Sequence, residues 1–179
     1  MHIDLDEIKI EENLSEIYAM AEKSVELMLY KDIRVSFAES CTGGLLSEII
    51  TSVPGASSVF EAGFCTYSER IKMKILSVPE SVISETTVVS EETALYMARG
   101  MKDISSSDIS VSVTGIAGPS GAMEGKPVGT VCVAFCYGGK EETTTLKFYK
   151  LGERDRETIR KLTASAVYLH LNEILTDWK

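Results

Sequence analysis

The chain has 179 residues, 44% of them hydrophobic, and carries a formal net charge of −9 at pH 7. This length suits one well-buried domain and is short for two, and the net acidity argues against nucleic-acid binding, which needs clustered Lys and Arg. No apolar run approaches the roughly 20 residues of a membrane span, and the acidic N-terminus lacks the layout of a signal peptide. We therefore expect a cytoplasmic protein that binds neither nucleic acid nor membrane.

Hydrophobic periodicity predicts the elements of the first half of the chain in order. A capping-box pattern, Asn13 with Glu16, opens an amphipathic helix over 13–30. The next expected elements are a strand at 33–38, a glycine turn, a helix over 43–52, a strand at 58–66 and a short helix at 69–76. Residues 1–12 precede this pattern, and we interpret them as an N-terminal extension of a domain that covers 13–175.

The second half of the chain predicts two helices and three strands. Its expected elements are a helix from Ser90 to about Met101, a strand at 109–113, a hairpin of 130–137 and 142–149 around Gly138-Gly139, and a helix over 153–175. Ser90 is the predicted N-cap of the first of these helices. Strands that alternate with helices, followed by a late antiparallel hairpin, indicate a single-domain layered α/β/α fold with a mixed sheet.

The cysteines and histidines limit the chemistry that this chain can perform. The four cysteines are Cys41, Cys65, Cys132 and Cys136. They form no C-x-x-C pair, so we interpret them as small apolar residues of a reduced interior. The only histidines are His2, at the terminus, and His170, deep in the last predicted helix. This scarcity argues against a Ser-His-Asp triad and against a zinc site.

The most informative segment is Ala38-Glu39-Ser40-Cys41-Thr42-Gly43-Gly44, which we call the serine turn. It connects a predicted strand to a predicted helix, and such a turn points backbone amides at an anion or an oxyanion. Ser40, Cys41 and Thr42 are alternative nucleophiles, and the residues alone do not decide among them. Ser40 and Thr42 also have a structural interpretation as helix caps.

A hydrolytic nucleophile needs a base, and lysine is the remaining candidate. An exposed lysine has a pKa of about 10.4 and is protonated at neutral pH, so a basic lysine must be desolvated or lie near other cations. Lys72 follows an apolar strand and has Arg70 and Lys74 as neighbours in sequence. The alternative is that Lys72 is an ordinary solvated lysine.

A second glycine-rich stretch, residues 114–121, follows the predicted strand at 109–113, and we call it the glycine loop. It is a modest signal for phosphate binding because it matches neither a Walker A loop nor G-x-G-x-x-G. The alternative is a plain connecting loop. Arg154, Arg156 and Arg160 open the final predicted helix, where cations oppose the helix dipole. That placement favours a ligand role.

Five ordered blocks resemble the CinA C-terminal domain family over roughly residues 13–175. The blocks are 38–44, Tyr67-Ser68 with Lys72, 89–92, 114–119 and 126–129. Members of this family with known activity are nicotinamide-nucleotide amidases, which convert nicotinamide mononucleotide to nicotinate mononucleotide and ammonia. The resemblance implies three catalytic residues: Ser40 as the nucleophile, Lys72 as its base, and Tyr67 of the same block. It also implies a reaction that passes through an acyl-enzyme without metal or cofactor.

Beside what the resemblance implies, we expect two sets of binding residues around a small nucleotide substrate. They are the backbone amides of Thr42, Gly43 and Gly44 for the oxyanion, and Thr114, Gly115 and Arg156 for the ribose and phosphate. We also expect a homo-oligomer, given the sheet that the family has and the apolar final helix.

Three departures from the family pattern bear on activity. Many relatives have Asn where this chain has Glu69, and a carboxylate there would pair with Lys72 and raise its pKa. Many have Glu where this chain has Gly125, and their Gly-Asp-Arg is Arg154-Asp155-Arg156 here. Two alternatives to the amidase therefore stay open. One is a Ser-Lys hydrolase of another small amide or ester, and the other is a nucleotide-binding or regulatory module without turnover.

Overall fold

The computed structural model describes residues 13–178, so the predicted extension 1–12 lies outside the described residues. The elements are α1 (Leu14–Lys31), β1 (Val35–Glu39), α2 (Leu45–Thr51), β2 (Phe60–Cys65), α3 (Glu69–Leu76), α4 (Glu80–Thr86), α5 (Glu91–Ser105), β3 (Ile109–Gly115), β4 (Thr130–Tyr137), β5 (Lys140–Lys147) and α6 (Arg156–Asp177). Every helix and strand that the sequence predicted is present. Across 13–178, no helix is both long enough and apolar enough to cross a bilayer.

The strands form one mixed sheet with the order β2-β1-β3-β4-β5. β1 pairs in parallel with β2 and β3, whereas β3, β4 and β5 pair antiparallel, which confirms the predicted late hairpin. Glu39 at the end of β1 lies opposite Cys65 on one side and Val113 on the other. The chain segments that follow β1, β2 and β3 therefore meet at one edge of the sheet, where ligands bind in open α/β sheets.

Helices cover both faces of the sheet and confirm the layered α/β/α architecture. On one face α1, α2 and α6 share a core with alternate strand residues such as Phe37 and Val111. On the other face α3 and α5 pack against smaller residues, including Ala38 and Ala134. Alternation along each strand sends successive side chains to opposite faces, so both layers draw on the same strands.

The close approach of α3 and α5 depends on a glycine. A Cβ at Gly100 would overlap the carbonyl oxygen of Leu76, the last residue of α3. Glycine has no side chain and permits this contact. The helix that carries Lys72 is therefore supported directly by the backbone of α5.

Three local expectations are corrected by the structure. α4 was not predicted, because it is short and its residues Val82, Ile83 and Thr86 are β-branched, which lowers helix propensity. α6 begins at Arg156, because the Asp155 carboxylate accepts the Thr158 amide at 2.7 Å and caps the helix. Arg154 thus precedes the helix instead of lying in its first turn.

The cysteines are unpaired throughout the described residues. Cys41, Cys132 and Cys136 are buried, as expected. Cys65 is exposed, contrary to the prediction of four interior cysteines. It ends the edge strand β2, in which exposed residues alternate with half-buried ones, and Cys65 is one of the exposed residues.

Candidate active site

Ser40 and Lys72 are in contact at the edge of the sheet where β1 and β2 end. The Nζ atom of Lys72 lies 3.0 Å from Ser40 Oγ. Both residues are buried, with 1% of Lys72 and 8% of Ser40 exposed. Ser40 follows β1, and Lys72 lies in α3, whose N-cap Ser68 accepts the Ile71 amide. The structure thus joins a hydroxyl and an amine that are 32 positions apart.

Two backbone carbonyls complete the surroundings of the Lys72 amine. Nζ donates to the Thr66 carbonyl at 2.8 Å and to the Tyr67 carbonyl at 3.3 Å. Burial lowers the pKa of Lys72 from its ordinary value of 10.5. A neutral amine has two N–H donors and one lone pair, so in that form, with both donors on the carbonyls, the lone pair would face Ser40 Oγ. This is the arrangement in which a lysine can accept a serine proton.

Glu69 does not pair with Lys72, so the predicted ion pair is wrong. Within residues 13–178 the two side chains form neither an ion pair nor a hydrogen bond, and Glu69 is exposed. The charge of Glu69 raises the pKa of Lys72, but burial lowers that pKa by more. The net shift is downward, toward the neutral form that a general base requires.

The other two candidate nucleophiles lack a base. Burial raises the pKa of the Cys41 thiol to about 12, even though Lys72 and Arg156 act in the opposite direction. Such a thiol holds almost no thiolate at neutral pH. Thr42 is fully buried, and its hydroxyl has no hydrogen-bond partner within 13–178, while Arg160 donates to its carbonyl at 2.9 Å. Among the three hydroxyl and thiol groups of the turn, Ser40 is the one in contact with an amine.

The N-terminus of α2 is occupied by a side chain of the protein itself. The carboxylate of Glu39, which is fully buried, accepts the amides of Gly44 at 3.0 Å, Leu46 at 3.1 Å and Ser47 at 2.9 Å. It also accepts the Ser47 hydroxyl at 2.7 Å. The amides at this helix start therefore bind an internal carboxylate instead of the ligand anion that the sequence predicted. Sequence reasoning missed this role of Glu39; the available signal was a carboxylate that ends a strand directly before a glycine turn.

The expected oxyanion donors need correction. The Gly43 amide donates to the Ser40 carbonyl at 3.0 Å, and the Gly44 amide donates to the carboxylate just described. With φ values of +62° and +96°, these glycines shape the turn. The amides of Cys41 and Thr42 donate to no other residue within 13–178, and Cys41 lines the adjacent cavity. The Cys41 amide therefore replaces those of Gly43 and Gly44 as the leading candidate.

A cavity of about 320 Å³ opens beside Ser40 and Lys72. Its walls include Tyr67, Glu69, Val88, Thr114, Gly115 and Arg156. The volume lies at the lower end of the range of small-molecule sites, roughly 300–1,000 Å³. Three segments that sequence reasoning selected separately, namely the serine turn, the start of α3 and the glycine loop, thus surround one space.

Arg156 reaches across one side of this cavity. Its guanidinium donates to the Gly118 carbonyl at 2.9 Å and to the Tyr67 hydroxyl at 2.9 Å. Tyr67 is 59% exposed, and its backbone carbonyl, not its hydroxyl, contacts Lys72. Tyr67 therefore contributes to the site in two ways: its carbonyl accepts from the Lys72 amine, and its hydroxyl accepts from Arg156.

The two predicted residues at the end of β3 also line the cavity. The Thr114 hydroxyl donates to the Val88 carbonyl at 2.6 Å, and Thr114 is buried. A Cβ at Gly115 would lie 2.8 Å from the Thr130 carbonyl oxygen, so β4 packs closely against this position. Thr114 thus fixes the neighbouring cavity wall, and Gly115 keeps its own backbone close to β4.

Lys126 ties the connection between β3 and β4, residues 116–129, to the end of α4. Its Nζ atom donates to the Thr86 carbonyl at 2.9 Å and to the Thr87 hydroxyl at 2.8 Å. Thr87 has a φ of +72°, which is rare for a β-branched residue. Gly125, the second departure from the family pattern, is exposed in a turn beside Lys126 and does not line the cavity. This departure leaves the contact between Ser40 and Lys72 unchanged.

His170 lies away from the cavity, on α6. Its ring nitrogens lie 2.9 Å from Glu142 and 2.8 Å from Glu173, and its ring packs edge-on against Phe135. These contacts give it a packing role, as expected, while His2 lies outside the described residues. Among residues 13–178, no three His, Cys, Asp or Glu side chains form a group suited to a metal ion.

The fold and the site define a single-domain α/β protein in which a buried Ser-Lys pair lies beside a small cavity. The sequence model of the protein family described as CinA C-terminal domain matches residues 17–175. The chain therefore belongs to the CinA C-terminal domain family.

Sequence relatives and solved structures agree with this assignment. The chain is 45% identical to a CinA-like protein of Akkermansia muciniphila over 147 residues and 45% identical to one of Fervidobacterium nodosum over 150 residues, which covers 82% and 81% of this chain. It spans only 35% and 36% of the lengths of these relatives.

Among solved structures, the competence/damage inducible protein CihA of Agrobacterium tumefaciens is 34% identical, with a TM-score of 0.85 over 90% of this chain and 96% of that one. A competence or damage-inducible protein of Enterobacter asburiae is 31% identical, with a TM-score of 0.84 over 89% and 98%.

Proposed function

We propose that this protein is an amidohydrolase that converts nicotinamide mononucleotide to nicotinate mononucleotide and ammonia without a metal. The observation that carries the proposal is the buried contact of 3.0 Å between Lys72 Nζ and Ser40 Oγ. Membership of the CinA family supports the choice of substrate, because amidase members of that family act on this nucleotide.

In the first step Lys72 activates Ser40. The neutral amine accepts the hydroxyl proton while Ser40 Oγ forms a bond to the carboxamide carbon, and the carbonyl electron pair moves onto its oxygen. The Cys41 amide, which belongs to the residue after the nucleophile, is suited to donate to this oxyanion. The amide of Thr42 is a second candidate donor.

In the second step the same lysine returns the proton. The Lys72 ammonium protonates the leaving nitrogen, the C–N bond breaks, and ammonia departs from an ester on Ser40. Lys72 then deprotonates a water molecule that attacks the ester carbon, and the nicotinate carboxylate is released as Ser40 regains its proton. One buried amine thus serves as base and acid in both halves of the reaction.

The binding side of the proposal assigns the phosphate to Arg156 and the ribose to Thr114 and Gly115. A guanidinium matches phosphate oxygens with two parallel N–H donors. Arg156 already presents two donors, to the Tyr67 hydroxyl and the Gly118 carbonyl. A phosphate at the rim of the cavity would exchange these neutral acceptors for charged ones.

Ammonia release from nicotinamide mononucleotide tests the proposal. Ser40→Ala and Lys72→Met should each lower kcat at least about 1,000-fold, because the nucleophile and its base act as a unit. Cys41→Ala is the matched control in the same turn, and it should retain most activity because the thiol stays protonated.

Two outcomes would contradict the proposal. Activity that survives Ser40→Ala and vanishes in Cys41→Ala would move the nucleophile by one residue. A wild-type protein that binds the nucleotide and releases no ammonia would favour a binding module.

A further inference from the structure

Glu69 is a carboxylate without a partner at the catalytic cavity. It lies in the first turn of α3 and lines the cavity beside Lys72. Within residues 13–178 its side chain forms no hydrogen bond and no ion pair, and it is exposed. The mechanism above does not use it, yet it faces the space in which the substrate would lie.

The cavity wall carries fixed charges of opposite sign. Arg156 supplies a positive charge and Glu69 a negative one, while the other lining side chains are uncharged apart from Lys72. Lys72 is neutral in the form that accepts the Ser40 proton. Opposite charges attract, so this cavity is complementary to a ligand with an anionic group near Arg156 and a cationic group near Glu69.

We propose, on the basis of the proposed function, that Glu69 is a specificity-determining residue that favours substrates with a cationic ring. The glycosylated pyridine nitrogen of nicotinamide mononucleotide bears a positive charge, and its phosphate is anionic. The carboxamide is attached to the same six-membered ring, so a carboxamide carbon at Ser40 Oγ keeps the charged nitrogen inside the cavity that Glu69 lines.

The ring charge is present both before and during the reaction, so Glu69 should lower KM more than it raises kcat. Because Glu69 is exposed, water and salt screen the attraction. We expect a preference of about 10-fold at low ionic strength, shrinking as salt is added.

The test compares nicotinamide mononucleotide with its dihydro form, which keeps the phosphate, ribose and carboxamide but has a neutral ring. Binding is measured by calorimetry on the Ser40→Ala variant, so that neither ligand is hydrolysed. The oxidised ligand should bind about 10-fold more tightly, and adding Glu69→Gln should bring the ratio close to one. Glu26→Gln, an exposed substitution on α1 across the sheet, is the matched control and should leave the ratio unchanged.

A ratio that Glu69→Gln does not change would overturn the inference. Ammonia release gives a second readout: Glu69→Gln should raise KM for the nucleotide about 10-fold and change kcat by less than about 3-fold.

The two proposals fail in different ways. If the wild type releases no ammonia but Ser40→Ala shows a ring-charge preference that depends on Glu69, the proposed function fails and the role of Glu69 stands. If ammonia is released and the preference is independent of Glu69, the role of Glu69 fails and the amidase stands.

Discussion

The serine turn and the β3–β4 connection are both rich in glycine and both start at the same edge of the sheet, yet they are held in different ways. In the serine turn, the carboxylate of Glu39 and the carbonyl of Ser40 accept the amides of the turn and of the first turn of α2. The β3–β4 connection has backbone hydrogen bonds of its own, such as that from the Gly129 amide to the Ile116 carbonyl. It is tied to its neighbours by Arg156 on the Gly118 carbonyl and by its own Lys126 on the end of α4.

This difference separates chemistry from binding. A turn whose amides bind an internal carboxylate has its shape before any ligand binds, which suits the positioning of a nucleophile. Arg156, which holds the β3–β4 connection, lines the cavity, so it can exchange its neutral acceptors for those of a ligand. Glycine content alone does not distinguish the two cases; the position of a buried carboxylate does.

The largest expected effect comes from removing the internal anion with Glu39→Ala. Three amides and one hydroxyl would lose their acceptor in the interior, and we expect the free energy of unfolding to fall by about 3 kcal/mol. Urea denaturation measures this. Glu26→Ala, on an exposed part of α1, should change stability by less than about 0.5 kcal/mol. A loss below about 1 kcal/mol for Glu39→Ala would show that the carboxylate does not hold the turn.

The dependence of kcat/KM on pH tests whether Lys72, in contact with Ser40, is the general base of the reaction. kcat/KM should rise about tenfold per pH unit while Lys72 is protonated and then level off. Because burial lowers the pKa of Lys72 from 10.5, the midpoint should lie below pH 10.5.

Two further measurements sharpen this profile. Lys126→Met, in the β3–β4 connection, should lower the plateau of kcat/KM but leave the midpoint of the profile in place. A wild-type midpoint at or above pH 10.5 would contradict the role of Lys72 as the base. In the window between the lowered pKa and 10.5, the unfolded chain binds a proton that folded Lys72 has lost, so this residue makes stability rise with pH.

A pair of glycine substitutions sharpens the comparison further. Gly44 in the serine turn and Gly125 in the β3–β4 connection have φ values of +96° and +69°, and a Cβ at either would meet nothing within 4 Å. Alanine at each site should therefore cost a similar 1–2 kcal/mol or so of stability. Of the two variants, only Gly44→Ala should also lower kcat, since it shifts the backbone of the serine turn that positions Ser40. Equal kcat values in the two variants would contradict the distinction between a serine turn that positions the nucleophile and a β3–β4 connection that contributes to binding.

The smallest effect is expected for Lys126→Met. It removes two hydrogen bonds of a half-exposed amine, so stability should fall by about 1 kcal/mol while KM rises because the wall at Val88 loosens. Thermal unfolding and steady-state kinetics measure both quantities, and Lys126→Arg should restore most of the wild-type values. An unchanged KM would place Lys126 outside the binding half of the site.

Local patterns predicted the fold well because each strand and most helices carry their own periodicity and caps, as Ser90 and the run at 109–113 illustrate. Local patterns are not sufficient to predict the contact between Ser40 and Lys72, because it depends on the parallel pairing of β1 with β2, which no local pattern specifies. The role of Glu39 was missed because its acceptor geometry arises only after the glycines turn the chain back.

The contact between Gly100 and the end of α3 makes the position of Lys72 depend on a residue outside the cavity. Since α5 contacts the helix that carries Lys72 through bare backbone, a side chain at position 100 would push α3 and α5 apart and disturb the contact between Lys72 and Ser40 without changing either residue. Under the proposed function, a larger residue there would lower turnover while the residues that line the cavity stay in place. On that proposal, a nucleotide-binding protein without turnover is one substitution, outside the cavity, away from the hydrolase.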